Sequence, residues 1–350
     1  MLMELLRLLP PEAAHAVTIQ ALKLDLAPEL QNTSDLHLSL FGKTIRNPIG
    51  LSAGADKEAA ALAGWSKMGF GIVEAGTVTL HPRSGNPQPR LWRIKTAQAV
   101  ASPASAADAE RMADNALINW LGLPGKGLVP FVENLRAFQH HPSRKHLCVG
   151  ASIASPDNIL DEFKQLAEAV APYVDYITLN ASCPNVAGHS NDQRDDHCIE
   201  DNAAAQIKKT KQGAGRIPVL LKLGPTREQA SVERMVKAAL AAGIDGFIAT
   251  NTVPFGISNL LNEKPQWPTH DGKEVGGYSG KQLLEISCWM VAQIRNLVPA
   301  SMPVIGVGGV QSGEDARRLM HSGANAIQLY TGLVYKGPAL LNDIAQALSR

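Results

Sequence analysis

Tyr176-Ile177-Thr178-Leu179, continuing into Asn180-Ala181-Ser182-Cys183-Pro184-Asn185, reads as a buried strand running into a polar turn. The run does not alternate with charged residues, as expected of a strand covered on both faces of a parallel sheet. Two carboxamides and a thiol are thereby placed just past a strand end. Carboxamides read the donor and acceptor edge of a flat polar ring, and a thiol moves a proton. The stretch points to a small heterocyclic substrate handled by a cysteine acid or base. It reads equally as a Pro-Asn turn beside a buried structural cysteine.

Seven further runs have the same character: Ile49 to Ala53, Ile72 to Ala75, Leu147 to Ser152, Val219 to Leu223, Gly246 to Thr250, Val304 to Val307 and Ala326 to Leu329. Helical patterns lie between them. Ser155-Pro156 offers an N-cap and first-turn proline, with Ile159, Phe163, Leu166 and Val170 on one face. Val232, Met235, Val236 and Ala239 form another face, stopped by Gly243. Ser312 with Asp315 resembles a capping box ahead of Ala316, Leu319 and Met320, and Gly323 ends that helix. Eight strands with helical connections predict an α/β fold, a (β/α)8 TIM barrel. A doubly wound sheet competes, but no GxGxxG follows the first strand.

The barrel is expected over residues 39–350, behind a helical extension over 1–38. In the extension Leu2, Leu5, Leu6 and Leu9 form one stripe, Pro10-Pro11 breaks it, and a second helix from Glu12 aligns Val17, Ala21 and Leu24. Two readings stand side by side: a plug over the barrel's N-terminal face, or a surface that dips into lipid. Residues 77–146 and 251–280 are long connections rich in Pro, Gly, Asn and Ser. Both leave C-terminal strand ends, where barrel enzymes place substrate loops.

Of 350 residues, 45% are hydrophobic and 19% charged, enough apolar material for a large core. A net charge of +1 gives no electrostatic footprint for nucleic acid. Cys148, Cys183, Cys198 and Cys288 form no CxxC pair. Neither a metal site nor a disulfide framework is expected, and a reducing cytoplasm fits. No apolar run reaches the roughly 20 residues of a membrane span. Glu4 and Arg7 interrupt the first apolar stretch, so no cleavable leader is expected.

Residues after barrel strands converge on one face. Gly54-Ala55-Asp56-Lys57 follows the first strand and Gly76-Thr77 the second, with Glu74 inside it. Ser152 ends the third, and Thr250-Asn251-Thr252 closes the sixth. Lys222 stands within Val219-Leu220-Leu221-Lys222-Leu223. A cation there needs an anion, either a structural carboxylate or a cofactor ring that becomes negative on reduction. Gly308-Gly309 and Tyr330-Thr331-Gly332 follow the last two strands, the usual phosphate position of barrel enzymes. Lys57 suits a substrate carboxylate or is a solvated surface charge. Asn119, Asn180, Asn185 and Asn251 together suit a ring with several N–H and C=O groups, although each alone reads as a turn residue.

Taken with Asn47-Pro48-Ile49-Gly50-Leu51, Glu74-Ala75-Gly76-Thr77-Val78-Thr79, Gly85-Asn86-Pro87, Pro89-Arg90, Ala249-Thr250-Asn251-Thr252, Gly276-Gly277-Tyr278-Ser279-Gly280, Ile305-Gly306-Val307-Gly308-Gly309 and Gln328-Leu329-Tyr330-Thr331, these pieces resemble the dihydroorotate dehydrogenase family over nearly the whole chain. The resemblance implies an FMN-containing barrel that oxidises dihydroorotate to orotate in pyrimidine synthesis. It implies Cys183 as the catalytic base, with Lys57, Asn119, Asn180, Asn185, Asn251 and Thr252 at the substrate. Lys222, Thr250, Ser279, Gly280, Gly308, Gly309, Tyr330 and Thr331 match FMN-contacting positions, joined by Ala53, Gly54, Thr77, Ser152 and Asn180.

The N-terminal segment looks like that of the quinone-linked class 2 enzymes. It implies a cytoplasmic protein, peripheral on the inner face of the membrane through residues 1–30, with quinone as electron acceptor. Several residues depart from class 2. Cys183 stands where serine is usual, as in class 1. Val186-Ala187-Gly188-His189-Ser190 lacks the common Gly-Leu-Arg, Ser152 replaces an asparagine, and Asn119-Trp120-Leu121-Gly122 departs from the usual sequence. A divergent paralogue acting on another dihydropyrimidine or using a soluble acceptor, and a non-catalytic flavin-binding barrel, are the alternatives.

Overall fold

Each of the eight apolar runs is a strand, and together they close into a parallel barrel. The structure of the protein, a computed structural model, describes residues 6, 8–29, 36–95, 115–180 and 196–349, with backbone only at 95 and 196–199. In chain order, helix α1 (Pro11–Lys23) precedes a hairpin of β1 (Leu38–Leu40) and β2 (Lys43–Ile45). β3 (Ile49–Leu51) and β4 (Ile72–Val78) flank α2 (Leu62–Met68). The connection after β4 carries β5 (Leu91–Lys95), β6 (Asn115–Asn119) and α3 (Leu128–Phe138). Then β7 (Cys148–Ile153), α4 (Leu160–Val170), β8 (Tyr176–Leu179), α5 (Asp196–Ala214), β9 (Val219–Leu223), α6 (Gln229–Ala241) and β10 (Gly246–Ala249) alternate. The second long connection holds β11 (Val253–Pro254), β12 (Thr269–His270), β13 (Lys273–Glu274) and β14 (Gly277–Gly280). α7 (Leu283–Leu297), β15 (Val304–Val307), α8 (Gly313–His321), β16 (Ala326–Leu329), α9 (Thr331–Lys336) and α10 (Ala339–Leu348) follow.

The barrel order is β10-β15-β16-β3-β4-β7-β8-β9. Its strands are buried throughout apart from Thr77 near the end of β4, which explains their unbroken apolar character. The helices pack on the outer faces, with Phe163, Leu166 and Val170 of α4 and Val232, Val236 and Ala239 of α6 buried. Inside, Ile72, Cys148, Leu220, Ile248, Ile305 and Ala326 fill the N-terminal half.

Two expectations about local structure are corrected and one feature is added. Ser155 is not the N-cap of α4. Its hydroxyl accepts from Ile159 N at 2.9 Å in a preceding turn, and Asn158 adopts φ 55°, which no helix can continue through. The helix therefore starts at Leu160, and Ile159 is half exposed. The long connections, expected where substrate loops lie, carry a sheet that was not read from the sequence: β11, β14, β6 and β5 pair antiparallel over the C-terminal mouth. Finally, the barrel's N-terminal mouth is closed by the β1–β2 hairpin, where Phe41 stacks on Tyr176 with centroids 4.8 Å apart. This rules out α1 as the plug. The boundary expected after residue 38 falls one residue inside that hairpin.

Helix α1 instead packs beside α2, so closely that a Cβ on Gly64 would lie 2.6 Å from Leu22 O. It starts at Pro11, and Ala14 and Leu22 are its buried residues. The stripe read from the sequence faces outward, with Val17 47% and Leu24 70% exposed. Most of the first expected helix, residues 1–5 and 7, lies outside the described residues.

Asn47 ties the entrance of β3 to the turn before β4. Its Oδ1 accepts from Ile49 N (3.0 Å) and Gly71 N (3.1 Å), and its Nδ2 donates to Gly69 O (2.9 Å). The side chain is fully buried, so removing it strands Ile49 N and Gly69 O away from water, while Gly71 N keeps Ile49 O at 3.0 Å. Asn47→Ala is expected to cost roughly 2–4 kcal/mol, read as a lower urea midpoint at unchanged slope. A parental midpoint would show that the turn is held by other contacts.

Candidate active site

The C-terminal ends of the barrel strands surround one cavity beneath the antiparallel sheet. Lys57, Asn119, Asn180, Asn251 and Thr252, the expected substrate residues within the described regions, all line it. So do Ala53, Gly54, Thr77, Lys222, Thr250, Ser279, Gly280, Gly308, Gly309, Tyr330 and Thr331. Cys183 and Asn185 lie outside the described residues. Cys183 is three residues past Asn180, a span of at most about 11 Å of chain.

Ser152 is fully buried and does not line the cavity. It stands behind Thr77, with the two hydroxyls 2.9 Å apart. Asn180 Nδ2 donates to Thr77 Oγ1 at 3.0 Å, and Asn251 Nδ2 donates to Asn180 Oδ1 at 3.3 Å. Asn251 Oδ1 in turn accepts from Thr252 N at 2.9 Å. This chain of polar groups crosses β7, β4, β8 and the end of β10. It sets which way each carboxamide points, as a site that must discriminate donors from acceptors requires.

Asn119 arrives from the accessory sheet, where it pairs with Leu91 and Gly277. Its Nδ2 donates to Gly277 O at 3.4 Å. In the same sheet Ser279 Oγ lies 2.8 Å from Thr331 Oγ1, linking β14 to the start of α9.

Lys57 follows a turn that Asp56 holds by accepting from Ala60 N (2.8 Å) and Ala61 N (2.9 Å). Burial lowers the Lys57 pKa to about 8, with Glu12 opposing and Arg90 assisting. Lys222 sits in the cavity floor, 6% exposed, with Nζ 3.5 Å from Ser52 Oγ. Gly308 and Gly309 have φ of 120° and 80°. A Cβ on Gly309 would meet Leu284 N at 2.3 Å, and one on Gly308 would meet Ser287 Oγ at 2.6 Å. Glycine is therefore required here by close packing on α7 and by left-handed backbone, not only by approach of an anion.

Ser52 and Gln311 also line the cavity and were not singled out from the sequence, and with them lies Gln328, which belongs to the Gln328-Leu329-Tyr330-Thr331 stretch of the resemblance but was given no role. Gln328 is a polar residue inside an apolar run, the signal that marked Lys222. Its Oε1 is buried without a hydrogen-bond partner.

A second cavity of about 650 Å³ runs between α1 and the barrel. Its lining is mostly apolar, including Val17, Ala21, Leu26, Met68 and Val334. Leu91, Leu117 and Tyr330 line both cavities. Burial pushes the Tyr330 phenol up to about 12. His15 also faces the second cavity, and burial, then Lys57, lowers its pKa to about 4. The imidazole is thus neutral near pH 7, with Nε2–H donating to Ala55 O at 2.7 Å.

A family model for dihydroorotate dehydrogenase matches residues 35–350. A dihydroorotate dehydrogenase (quinone) of Bradyrhizobium diazoefficiens is 37% identical, over 98% of this chain and 88% of the relative. A protein of the same name from Bordetella avium is 35% identical, over 96% and 93%. Among solved structures, ligand-free dihydroorotate dehydrogenase of Eimeria tenella aligns with TM-score 0.79 and 26% identity, over 97% of this chain and 94% of that one.

Proposed function

The chain belongs to the dihydroorotate dehydrogenase family, and from that premise we propose that it oxidises dihydroorotate to orotate in pyrimidine synthesis, with FMN as cofactor and a quinone as final acceptor. One observation carries the reading. Every proposed contact within the described residues, Ser152 excepted, walls a single cavity, and that cavity shares a wall with an apolar one opening beside α1. The relatives named for quinone favour that acceptor over a soluble one.

The donor set fits a flavin. The cavity combines a cation in its floor at Lys222, polar hydroxyls at Ser279, Thr250 and Thr331, and apolar walls from Leu283, Leu329 and Tyr330. Gly308, Gly309 and Thr331 would hold the phosphate end, and Lys222 would sit beside the ring. When bound, FMN supplies the two-electron acceptor that couples the dihydropyrimidine to quinone.

The protein's own groups do the rest. Lys57 pairs with the substrate carboxylate. Asn119, Asn180, Asn185 and Asn251, with Thr252, read the amide edges of the ring. Cys183 takes the C5 proton as C6 is oxidised. A thiol suits this better than a serine hydroxyl near neutral pH, because its pKa is closer to ambient and falls near cations. Lys222 offsets negative charge gained by the reduced ring. Ser152 acts through Thr77, holding Asn180 in orientation.

The outward apolar residues of the N-terminal segment, Leu8, Val17, Leu24 and Leu26, support peripheral contact with the cytoplasmic face of the membrane. Quinone would leave the lipid directly into the apolar cavity and meet Tyr330 at its inner end. No described helix is long and apolar enough to cross a membrane.

Purified protein is expected to show a flavin spectrum that bleaches on anaerobic addition of dihydroorotate. Cys183→Ala should keep the spectrum and lose the bleaching. A variant that bleaches at the parental rate removes Cys183 from the mechanism, and a parent with flavin that never bleaches removes dihydroorotate.

Lys57 is cationic below about 8 and neutral above it in the empty site. Orotate affinity should therefore be level below that pH and fall about tenfold per unit above it. Lys57→Met should abolish this limb. A limb that persists in the variant assigns it to another group.

Leu24→Glu combined with Leu26→Glu should weaken sedimentation with liposomes and slow turnover of a liposome-embedded quinone. Turnover with a soluble dye should be untouched. Equal turnover of the embedded quinone would exclude entry beside α1.

A further inference from the structure

We propose that Gln328 contacts the bound flavin ring through its amide oxygen, and that Glu74 is the positioning residue that turns that oxygen toward the cavity. The inference rests on the flavin reading above.

Gln328 is 1% exposed and lines the cavity from β16. Its Nε2 donates to Glu74 Oε2 at 2.9 Å and to Tyr176 Oη at 3.3 Å. Both amide hydrogens are used. Glu74 Oε2 also accepts from Thr178 Oγ1 at 2.9 Å and Tyr176 Oη at 3.1 Å. Turning the amide over would set Oε1 against this acceptor, so one orientation is fixed. In that orientation Oε1 is buried and has no donor among the described residues.

A buried amide oxygen without a donor is a standing cost unless a ligand supplies one. The pyrimidine part of a flavin carries a ring N–H between two carbonyls, and that N–H is the missing donor. Room for the glutamine comes from Gly50 on the neighbouring strand, where a Cβ would lie 3.1 Å from Gln328 Cγ and 2.8 Å from Ile327 O. Ser52 and Lys222, beside it in the cavity floor, provide donors for the flanking carbonyls.

The test titrates apoprotein with FMN, and separately with riboflavin, following flavin fluorescence. Gln328→Met keeps the volume and removes the amide. Glu74→Gln keeps the shape but can donate, so Gln328 is free to turn over. Each variant should weaken both flavins by the same factor, about tenfold in Kd, because the contact is to the ring and not the phosphate. The double variant should bind no more weakly than Gln328→Met alone, since Glu74 acts through Gln328.

Parental affinity in Gln328→Met overturns the proposal. Losses confined to FMN also overturn it, and additive losses overturn the positioning role. Apoprotein melting temperatures guard against misfolding, and Gln328→Met decides alone if Glu74→Gln is poorly folded. A parent protein that binds neither flavin removes the flavin reading itself, which is a separate result.

Discussion

Glu74 Oε2 accepts hydrogen bonds from Tyr176, Thr178 and Gln328, so one carboxyl oxygen on β4 gathers groups from β8 and β16 inside the barrel. The rest of the architecture is arranged around this junction. Toward the N-terminal mouth the interior is apolar and closed by Phe41. Toward the C-terminal mouth it opens on the cavity with Lys222, Ser52 and Asn180. A barrel interior has room for few large side chains, so neighbours give way. A Cβ on Gly150 would lie 2.2 Å from Tyr176 Cζ, and Gly50 yields to Gln328 in the same way. The two glycines are the condition for a polar floor under the site.

The eight barrel strands were legible because burial on both faces leaves an unbroken apolar run, and four of them keep the bounds read from the sequence. The accessory sheet was not. Leu91–Lys95 and Gly277–Gly280 mix charge, tyrosine and glycine, and the pairing of Asn119 with Gly277 joins residues far apart in the chain. No local window contains that partner. Periodicity likewise tells which residues share a face, but not what covers it. Val17 and Ala21 do align on α1, yet they line a cavity beside the barrel, and Leu24, just past the helix, is exposed.

The site was legible where polar residues follow strand ends, since barrel geometry brings those ends together whatever the loops do. Gln328 escaped because it sits inside a strand. It shares parity with Ala326, whose side chain is in the barrel interior, so alternation along β16 also points residue 328 inward. Lys222 was noticed in the same setting because a buried charge is costly, whereas a buried amide is a quieter signal. Ser152 shows the opposite case. Read from its strand end as a site residue, it is buried behind Thr77, off the cavity wall.

The N-terminal helix is tied to both cavities, lining the apolar one and standing beside Lys57 of the other. It lines the apolar cavity through Val17 and Ala21, and His15 binds Ala55 O, two residues before Lys57. Glu12 on the same helix turn pairs with Arg90 at 2.9 Å, and Arg90 also holds Ser84 O and Asn86 O in the loop below Asn119. Lys57 feels both partners of that pair, Glu12 raising its pKa and Arg90 lowering it. A displacement of α1 would thus alter the wall of the apolar cavity and the electrostatics of Lys57 together. An appendage that looks dispensable beside a closed barrel is, by these contacts, one wall of the apolar cavity and a neighbour of Lys57.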